Sequence, residues 1–169
     1  GWHLECSAMS EKHLGVPFDI HGGGRDLIFP HHENELAQSR CCHDGAEFAR
    51  GWMHNGYLTV EGEKMSKSLG NFFTVRDVLA KVPGEAIRYN MLGTHYRQPV
   101  DWTDAGLLEA KGIMDTLYQA LRSVQDIEAD PSEEWPEELC LVLENDLNTH
   151  SVRGVLRNLA RDLNKATSA

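Results

Sequence analysis

Residues 16–42 read VPFDIHGGGRDLIFPHHENELAQSRCC, and this stretch decides the fold class. Val16 to His21 alternate apolar and polar side chains, as a β-strand does. Gly22 to Gly24 are expected to turn the chain into a helix that runs from about Pro30 to Cys42. Upstream, Cys6 to Gly15 indicates a short helix ended by glycine. The order helix, strand, glycine turn, helix predicts an α/β fold, in which ligands bind beyond the carboxyl ends of strands.

The composition is that of an ordinary globular protein. The chain has 169 residues, of which 41% are apolar and 25% are charged, so disordered and fibrous classes are excluded. No run approaches the roughly 18 apolar residues of a membrane span, and no secretory signal is present. Its 4 cysteines, two of them adjacent, do not form a disulfide framework. We expect a cytoplasmic protein with no membrane partner, and the Gly1-Trp2 start without methionine predicts a piece of a longer protein.

The charge is strongly acidic, with a formal net charge of -10 from 16 basic and 26 acidic residues. Residues 1–105 hold 10 basic and 14 acidic side chains, and residues 106–169 hold 6 and 12. Non-specific attraction to nucleic acid through a basic surface is therefore excluded, so an RNA partner must be held locally. The acidic tail is expected to be a poor RNA surface by itself.

The second half of the sequence is repetitively helical. Thr74 with Asp77 resembles a capping box, and a helix is expected over Gly84 to Leu92. Apolar residues then recur at spacings of three and four: Leu107, Ala110, Met114, Leu117, Leu121 and Val124, followed by Val152, Leu156, Leu159 and Leu163. Residues 128–138, with two prolines and five glutamates, predict a solvated loop. We expect a small helical bundle that is incomplete at Ala169.

The sharpest motif is KMSKS at residues 64–68. Lys64 and Lys67 can converge on one polyphosphate and neutralise the charge that develops on a leaving pyrophosphate. Two lysines alone are more simply a solvated basic loop.

A second constellation consists of Cys6, His31 and Glu35. His31 and Glu35 are four residues apart, so on a helix they share one face. Cys6 is expected near a helix start, where the helix dipole favours the thiolate. Sulfur, imidazole and carboxylate form a plausible zinc site, although three ligands are one short of a closed tetrahedron. Taken singly, such a cysteine is usually a small core residue and such a histidine a surface one.

Four motifs then occur in order: WHLECSAM at 2–9, FDIHGGGRDLIFPHHENE at 18–35, WMHNG at 52–56 and KMSKS at 64–68. Together they closely resemble cysteinyl-tRNA synthetase, a class I aminoacyl-tRNA synthetase, over residues 2 to about 105. KMSKS is a hallmark of that class. A weaker match continues in ENDLNT at 144–149.

The resemblance implies an amino-acid site built on zinc. Cys6, His31 and Glu35 would bind the ion, with a fourth cysteine supplied from earlier in the parent chain. The thiolate of the substrate cysteine would bind zinc directly, which separates cysteine from serine without editing. Three residues, Trp2, His21 and His32, would line the amino-acid pocket, although each has core packing as an equally simple explanation.

The resemblance also implies an ATP site, with ATP and magnesium as substrate. Gly22, Gly23 and Gly24 would let the adenosine approach the backbone, and Lys64 and Lys67 would act on the phosphates. Asp26 would hold the ribose hydroxyls, or else simply cap the following helix. His54 with Asn55 and Gly56 is expected to form a hairpin turn into the lysine loop, with a secondary role in framing the adenine.

By this resemblance the fold is the C-terminal half of a Rossmann-type parallel-sheet catalytic domain followed by a mainly α-helical region. Residues 1–70 would hold the zinc site and lysine loop, residues 71–105 a connecting stem-contact-like segment, and residues 106–169 a truncated tRNA-binding bundle. The partners would be tRNA(Cys), cysteine and ATP, and the parent a monomer. RNA docking would use scattered residues such as Arg76, Arg88 and Arg97, for each of which surface solvation is the simpler explanation.

The resemblance is incomplete at two points. No His-Ile-Gly-His string occurs in residues 1–169, and the first zinc cysteine of the family is also absent. We therefore expect the parent to activate cysteine with ATP and transfer it to tRNA, and this chain alone to be inactive.

Two alternatives remain open. One is a mycothiol-type cysteine ligase, which passes the activated cysteine to an amino-sugar. Glu35 argues against it, because that relative has His-His-Glu without the second glutamate. The other is a non-catalytic half-synthetase module that binds zinc or a partner, and which should then associate through its exposed sheet edge.

Overall fold

The computed structural model describes residues 1–65, 68–130, 132 and 134–167. The fold is α/β, and the chain divides into two compact units, Gly1–Tyr57 and Leu58–Ala169. Within the described residues, no helix is both long and apolar enough to cross a membrane.

The first unit alternates helices and strands. Its elements are helix α1 (Trp2–Leu14), strand β1 (Phe18–Gly24), a 3-10 turn (Arg25–Leu27), a wide π-helical turn (Ile28–His32), helix α2 (Glu33–Cys42) and strand β2 (Ala49–Asn55). Strands β1 and β2 pair in parallel, with Phe18 opposite Ala49 and Gly24 opposite Asn55. Parallel pairing requires a crossover, which α2 supplies.

A small apolar core holds the first unit together. Phe48 is fully buried, and Phe18 and Ala49 are buried beside it, with Leu36 and Trp52 packed against them. Because Phe18 is the first residue of β1 and Ala49 the first of β2, this core lies at the amino ends of the two strands. The carboxyl ends of β1 and β2 lie outside this core, so the side chains there can form a functional site.

Two sequence expectations in this unit are wrong. Gly22 to Gly24 are the last three residues of β1 and not a turn, and His54 and Asn55 lie within β2, which pairs with β1 in parallel and not in a hairpin. The hairpin before the lysine loop is instead at Glu61–Gly62, where φ is 51° and 79°. Two consecutive left-handed residues form the turn whose twist matches the flanking strands.

The second unit begins with a small sheet and continues as helices. Its elements are β3 (Leu58–Val60), β4 (Glu63–Lys64), α3 (Val75–Leu79), α4 (Gly84–Met91), β5 (Val100–Trp102), α5 (Asp104–Arg122), α6 (Glu137–Glu144) and α7 (Thr149–Thr167). Strand β3 pairs with β4 antiparallel and with β5 in parallel. The core includes Val78, Ile87, Trp102 and Leu107.

The predicted bundle is present, since α5 packs against α4 and α7, and α6 packs against α7. Leu107 and Ala110 are buried as expected, but Leu121 is 59% exposed and Ala120 is buried in its place. Apolar residues spaced alternately three and four apart rotate by about 20° around a straight helix for every seven residues. The last residues of such a series therefore no longer face the core. Leu159 is likewise exposed. Glu137 and Glu138, expected in the loop, begin α6.

Candidate active site and metal centre

A cluster of titratable side chains lies around the carboxyl end of β1 in the first unit. Helix α1, the turns after β1 and the start of α2 contribute to it. These elements border an open cavity of about 300 Å³ lined by Trp2, Cys6, Met9, Ser10, His21, Gly22, Leu27, His31, His32 and Glu35. Ser7 ties α1 to α2 by donating a hydrogen bond from Oγ to Oε1 of Gln38, at 3.2 Å.

Glu35 is the centre of the cluster. Its side chain is only 1% exposed, with His31 Nε2 2.9 Å from Oε1 and His21 Nε2 2.7 Å from Oε2. Despite that short distance, no donor in the described residues is aligned for a hydrogen bond to Oε2. A buried carboxylate oxygen without a hydrogen bond is costly, so this oxygen is available to a cation.

The donor atoms around Glu35 fit a zinc ion. Within the described residues, the ligand atoms of Cys6, His31 and Glu35 lie within 4.8 Å of one another, and so do those of His21, His32 and Glu35. The first group offers sulfur, nitrogen and oxygen, a donor set that suits zinc. Three protein ligands leave a coordination position for a further ligand.

The expected lowering of the Cys6 pKa by a helix dipole is wrong. Cys6 is the fifth residue of α1, which begins at Trp2, and the dipole effect fades within the first turn. Burial raises the pKa of the Cys6 thiol, and the neighbouring Glu35 carboxylate raises it further by repulsion and by accepting its hydrogen bond. Without a metal, this cysteine is therefore a thiol.

Histidines extend the cluster from Glu35 toward β2. His32 Nδ1 lies 2.9 Å from His54 Nε2, and the His32 and His21 ring centroids are 4.7 Å apart. Burial lowers the pKa of His32, and the neighbouring His21 lowers it further. A buried neutral His32 is thereby placed between His21 and His54. The structure thus brings His54 into the cluster through β2.

Sequence reasoning missed the part played by Trp52. Its ring lies 5.0 Å from that of His21 and 5.5 Å from that of His32, and it stacks on His54 at 6.1 Å between centroids. Trp52 and His54 are two residues apart on one strand, so their side chains lie on the same face of it. This alternation is the feature of the sequence that could have predicted that Trp52 lies beside His54. Trp2 is 62% exposed, and its ring lies 4.2 Å from that of His31.

The glycines after His21 have a steric role inside the protein. A side-chain carbon at Gly23 would lie 2.9 Å from Cε1 of His32, and one at Gly24 would overlap Oδ1 of Asp26. Glycine at these positions therefore makes room for His32 and Asp26. Asp26 is exposed and caps neither the turns after β1 nor α2, so the capping interpretation is wrong.

The predicted lysine pair is described only in part. Lys64 is the last residue of β4, and its side chain, Ser66 and Lys67 lie outside the described residues. Arg97, one of the residues expected to dock RNA, pairs with Asp146 through Nε and Oδ2 at 2.5 Å.

The chain is similar to known proteins over nearly its whole length. The family model described as tRNA synthetases class I (C) catalytic domain matches residues 1–112. The cysteine–tRNA ligase of Paramagnetospirillum magneticum is 64% identical over 168 residues, covering 99% of this chain and 36% of that protein. The cysteine–tRNA ligase of Rhodospirillum rubrum is 62% identical over the same shares. The chain thus spans about a third of the length of these relatives.

Solved structures share the fold. A leucyl-tRNA synthetase of Agrobacterium radiobacter, in a ternary complex with tRNA and LeuAMS, matches 90% of this chain and 23% of its own, with a TM-score of 0.67 and 20% identity. A Mycobacterium tuberculosis methionyl-tRNA synthetase in complex with methionyl-adenylate matches 90% of this chain and 34% of its own, with a TM-score of 0.60 and 21% identity. The chain belongs to the family of class I (C) tRNA synthetase catalytic domains.

Proposed function

We propose that the polypeptide containing residues 1–169 is a cysteine–tRNA ligase, which activates cysteine with ATP and transfers it to tRNA(Cys). The single observation that carries this proposal is the group formed by the partly buried Cys6 and the buried His31 and Glu35, whose ligand atoms lie within 4.8 Å of one another beside a small cavity. The similarity to cysteine–tRNA ligases over 99% of the chain supports it.

Cys6, His31 and Glu35 would hold a zinc ion, which when bound supplies a soft Lewis acid that prefers a thiolate to a hydroxyl. A pocket without such a preference separates cysteine from serine poorly, because the two differ by a single atom. His21 Nε2 lies 2.7 Å from Oε2 of Glu35, and its ring, packed beside the carboxylate, would restrict the positions that this oxygen can take. Such outer contacts fix the ligand geometry on which selectivity depends.

The amino acid would be received by the approximately 300 Å³ cavity, with Trp2, His21 and His32 in its lining. Because His32 is buried with a lowered pKa, it takes part as a neutral hydrogen-bonding group and adds no charge.

ATP would bind together with magnesium. We assign the binding of its adenosine part to Gly22, Gly23, Gly24, Asp26 and His54. The exposed carboxylate of Asp26 is suitable for ribose hydroxyls because no cap occupies it. Lys64 and Lys67 would neutralise the leaving pyrophosphate as its charge develops, which accelerates the chemical step only if the contact strengthens in the transition state.

We assign residues 1–70 to the catalytic half with zinc site and lysine loop, residues 71–105 to a stem-contact-like connection and residues 106–169 to a tRNA-binding bundle, in a cytoplasmic, monomeric parent. Residues 1–169 alone are proposed to be inactive. The His-Ile-Gly-His string and the first zinc cysteine, which the family uses in catalysis, do not occur in them.

The test is amino-acid-dependent exchange of pyrophosphate into ATP by the complete polypeptide. We expect exchange with cysteine, exchange with serine weaker by at least a thousandfold, and charging of tRNA(Cys).

Lys64→Ala and Lys67→Ala should each slow exchange by about 10²–10³-fold, the usual effect of removing one stabilising group. No exchange with cysteine contradicts the function, and comparable exchange with serine contradicts selection by zinc. Acylation of an amino-sugar in place of tRNA would support the mycothiol-type alternative.

A further inference from the structure

The hairpin between β3 and β4 leads directly into the KMSKS motif, because Lys64, the last residue of β4, is also the first residue of the motif. Strand β4 has only two residues, and both pair with β3: Lys64 lies opposite Thr59, and Glu63 lies opposite Val60. A hairpin this short is not stable by itself in water. The backbone position of Lys64 therefore depends on whatever else holds the hairpin.

Asp101, in the neighbouring strand β5, holds the hairpin at two points. Its Oδ1 accepts a hydrogen bond from the Gly62 backbone nitrogen at 2.8 Å and another from Thr59 Oγ1 at 2.8 Å. The backbone nitrogen of Glu61 donates a third hydrogen bond, to the carbonyl oxygen of Trp102 at 3.3 Å. We call these three hydrogen bonds the β5 clasp. They fasten one residue of β3 and both residues of the hairpin turn to β5.

The β5 clasp is anchored in the apolar core of the second unit. Trp102, the residue after Asp101, is buried in that core, and Val60 packs against it. Thr59 lies opposite Asp101 in the β3–β5 pair and opposite Lys64 in the β3–β4 pair. One row of three residues across three strands therefore connects the anchored strand β5 to the first lysine of the motif.

Asp101 itself is exposed, so its side chain is not part of the core. The hydrogen bond from the Gly62 backbone lowers the pKa of Asp101, and the hydrogen bond from Thr59 lowers it further. Both donors therefore favour the charged carboxylate. Because they converge on the same oxygen, one side chain fixes the turn and the strand before it together.

We propose that Asp101 is a positioning residue for the activation of the amino acid: through Thr59 and Gly62 it fixes the backbone position of Lys64. The inference rests on the proposed function, in which Lys64 neutralises the leaving pyrophosphate. Such a group lowers the barrier only when it is held at the right place, and a displacement of about 1 Å can slow a reaction by about 10²-fold. Loss of Asp101 should therefore slow the chemical step and leave the binding of cysteine unchanged.

The experiment measures cysteine-dependent pyrophosphate exchange by the complete polypeptide. Asp101→Ala should lower kcat by about 10–10²-fold and change the KM for cysteine by less than about twofold. Asp101→Asn keeps an oxygen that can accept both hydrogen bonds, so its kcat should lie within about threefold of that of the unaltered protein. The matched control is Asp130→Ala, which should keep kcat. Asp130 is also exposed, and it likewise accepts hydrogen bonds from a backbone nitrogen and a hydroxyl, both of Ser132.

A double variant tests whether Asp101 acts through Lys64. In the Lys64→Ala background, Asp101→Ala should lower kcat by less than about threefold further, because residues that act as a unit do not have additive effects. A loss of the same size in both backgrounds would overturn the proposal, because a general effect on folding or on the site would act in both. Unchanged kcat in Asp101→Ala, or equal losses in Asp101→Ala and Asp101→Asn, would overturn it as well.

Absence of exchange in the unaltered polypeptide contradicts the proposed function and not the β5 clasp. The clasp is then tested by amide hydrogen exchange at Gly62, which should be faster in Asp101→Ala than in Asp130→Ala, and equal rates would overturn it. If Asp101→Ala does not fold, Thr59→Val decides, because it removes one of the two hydrogen bonds to Asp101. A lower kcat that Thr59→Ser restores supports the proposal, and an unchanged kcat in Thr59→Val overturns it.

Discussion

Glu35 contacts more of the functional side chains of the candidate site than a residue at its edge does, because it lies at the centre of the cluster. Its buried carboxylate contacts His21 and His31 and raises the pKa of Cys6, so one side chain connects α1, β1 and α2. Such a group is stable only when its charge is compensated. Metal binding would provide this compensation by replacing the Cys6 proton and satisfying Oε2.

The Cys6→Ser variant should therefore lose zinc. A hydroxyl is a much weaker zinc ligand than a thiolate, and we expect the metal content of the purified complete polypeptide to fall by at least tenfold. The Cys42→Ser variant is the control, because Cys42 is exposed and lies outside the cluster. Metal content is measured by atomic absorption, and equal zinc in the two variants would remove Cys6 from the site.

Asp146 organises a second polar cluster, in the second unit. Its carboxylate accepts hydrogen bonds from Tyr96 Oη at 2.6 Å and from Arg97 Nη2 at 3.0 Å. Asp146 and Leu147 both have left-handed backbones, with φ of 55° and 54°. Non-glycine residues adopt this conformation at a cost, which these contacts offset.

Asp146→Asn should lower the thermal stability at neutral pH, with an effect that becomes smaller in acid. Hydrogen bonds from Arg97 and then Tyr96 lower the pKa of Asp146 to about 2 from 3.8. The folded state therefore binds this proton less readily than the unfolded state, so the stabilisation is present above pH 4 and is lost as the pH falls toward 2. Melting temperatures at pH 7 and pH 3 measure it, with Asp126→Asn as control. A difference that does not shrink in acid would contradict the assignment.

At the level of elements, the start of α3 shows how a local motif acts. Thr74 Oγ1 accepts a hydrogen bond from the Asp77 backbone at 3.2 Å, and the Asp77 carboxylate accepts one from the Thr74 backbone at 2.8 Å. Both halves of the predicted capping box are present, and the motif is confirmed. It satisfies two donors that a helix start otherwise leaves unpaired.

Replacing Thr74 by alanine should cost about 1 kcal/mol of unfolding free energy, the usual value of a threonine cap. The control is Thr116→Ala, because Thr116 lies in the interior of α5, where alanine is the better helix former. Urea denaturation of the two variants measures the difference. A Thr74→Ala cost no larger than that of Thr116→Ala would show that the box does not stabilise α3.

At the scale of the whole molecule, each unit has its own apolar core. Phe48 is the fully buried centre of the first, and Leu107 is buried in the second. All residues of the Glu35 cluster belong to the first unit, Gly1–Tyr57. Damage to one core should therefore differ in its functional consequence from damage to the other.

Phe48→Ala and Leu107→Ala should each destabilise by about 3–4 kcal/mol, because both leave a cavity in a packed core. We expect Phe48→Ala to weaken zinc retention strongly and Leu107→Ala to leave it nearly unchanged. Metal content after dialysis against a chelator, at a temperature where both variants remain folded, tests this. Equal loss of zinc in both variants would contradict the independence of the two cores.

The sequence alone determined the class of fold, the capping box and the helical bundle, because each depends on residue type at a fixed spacing. His31 and Glu35 four residues apart were bound to share a face, and Thr74 with Asp77 could cap only locally. Tertiary structure decided what depends on strand pairing and burial. Pairing with β2 drew Gly22 to Gly24 into β1 and brought Trp52 and His54 beside His32, while burial next to Glu35 raised the pKa of Cys6. Neither register nor desolvation can be calculated from spacing, since both depend on residues distant in the chain.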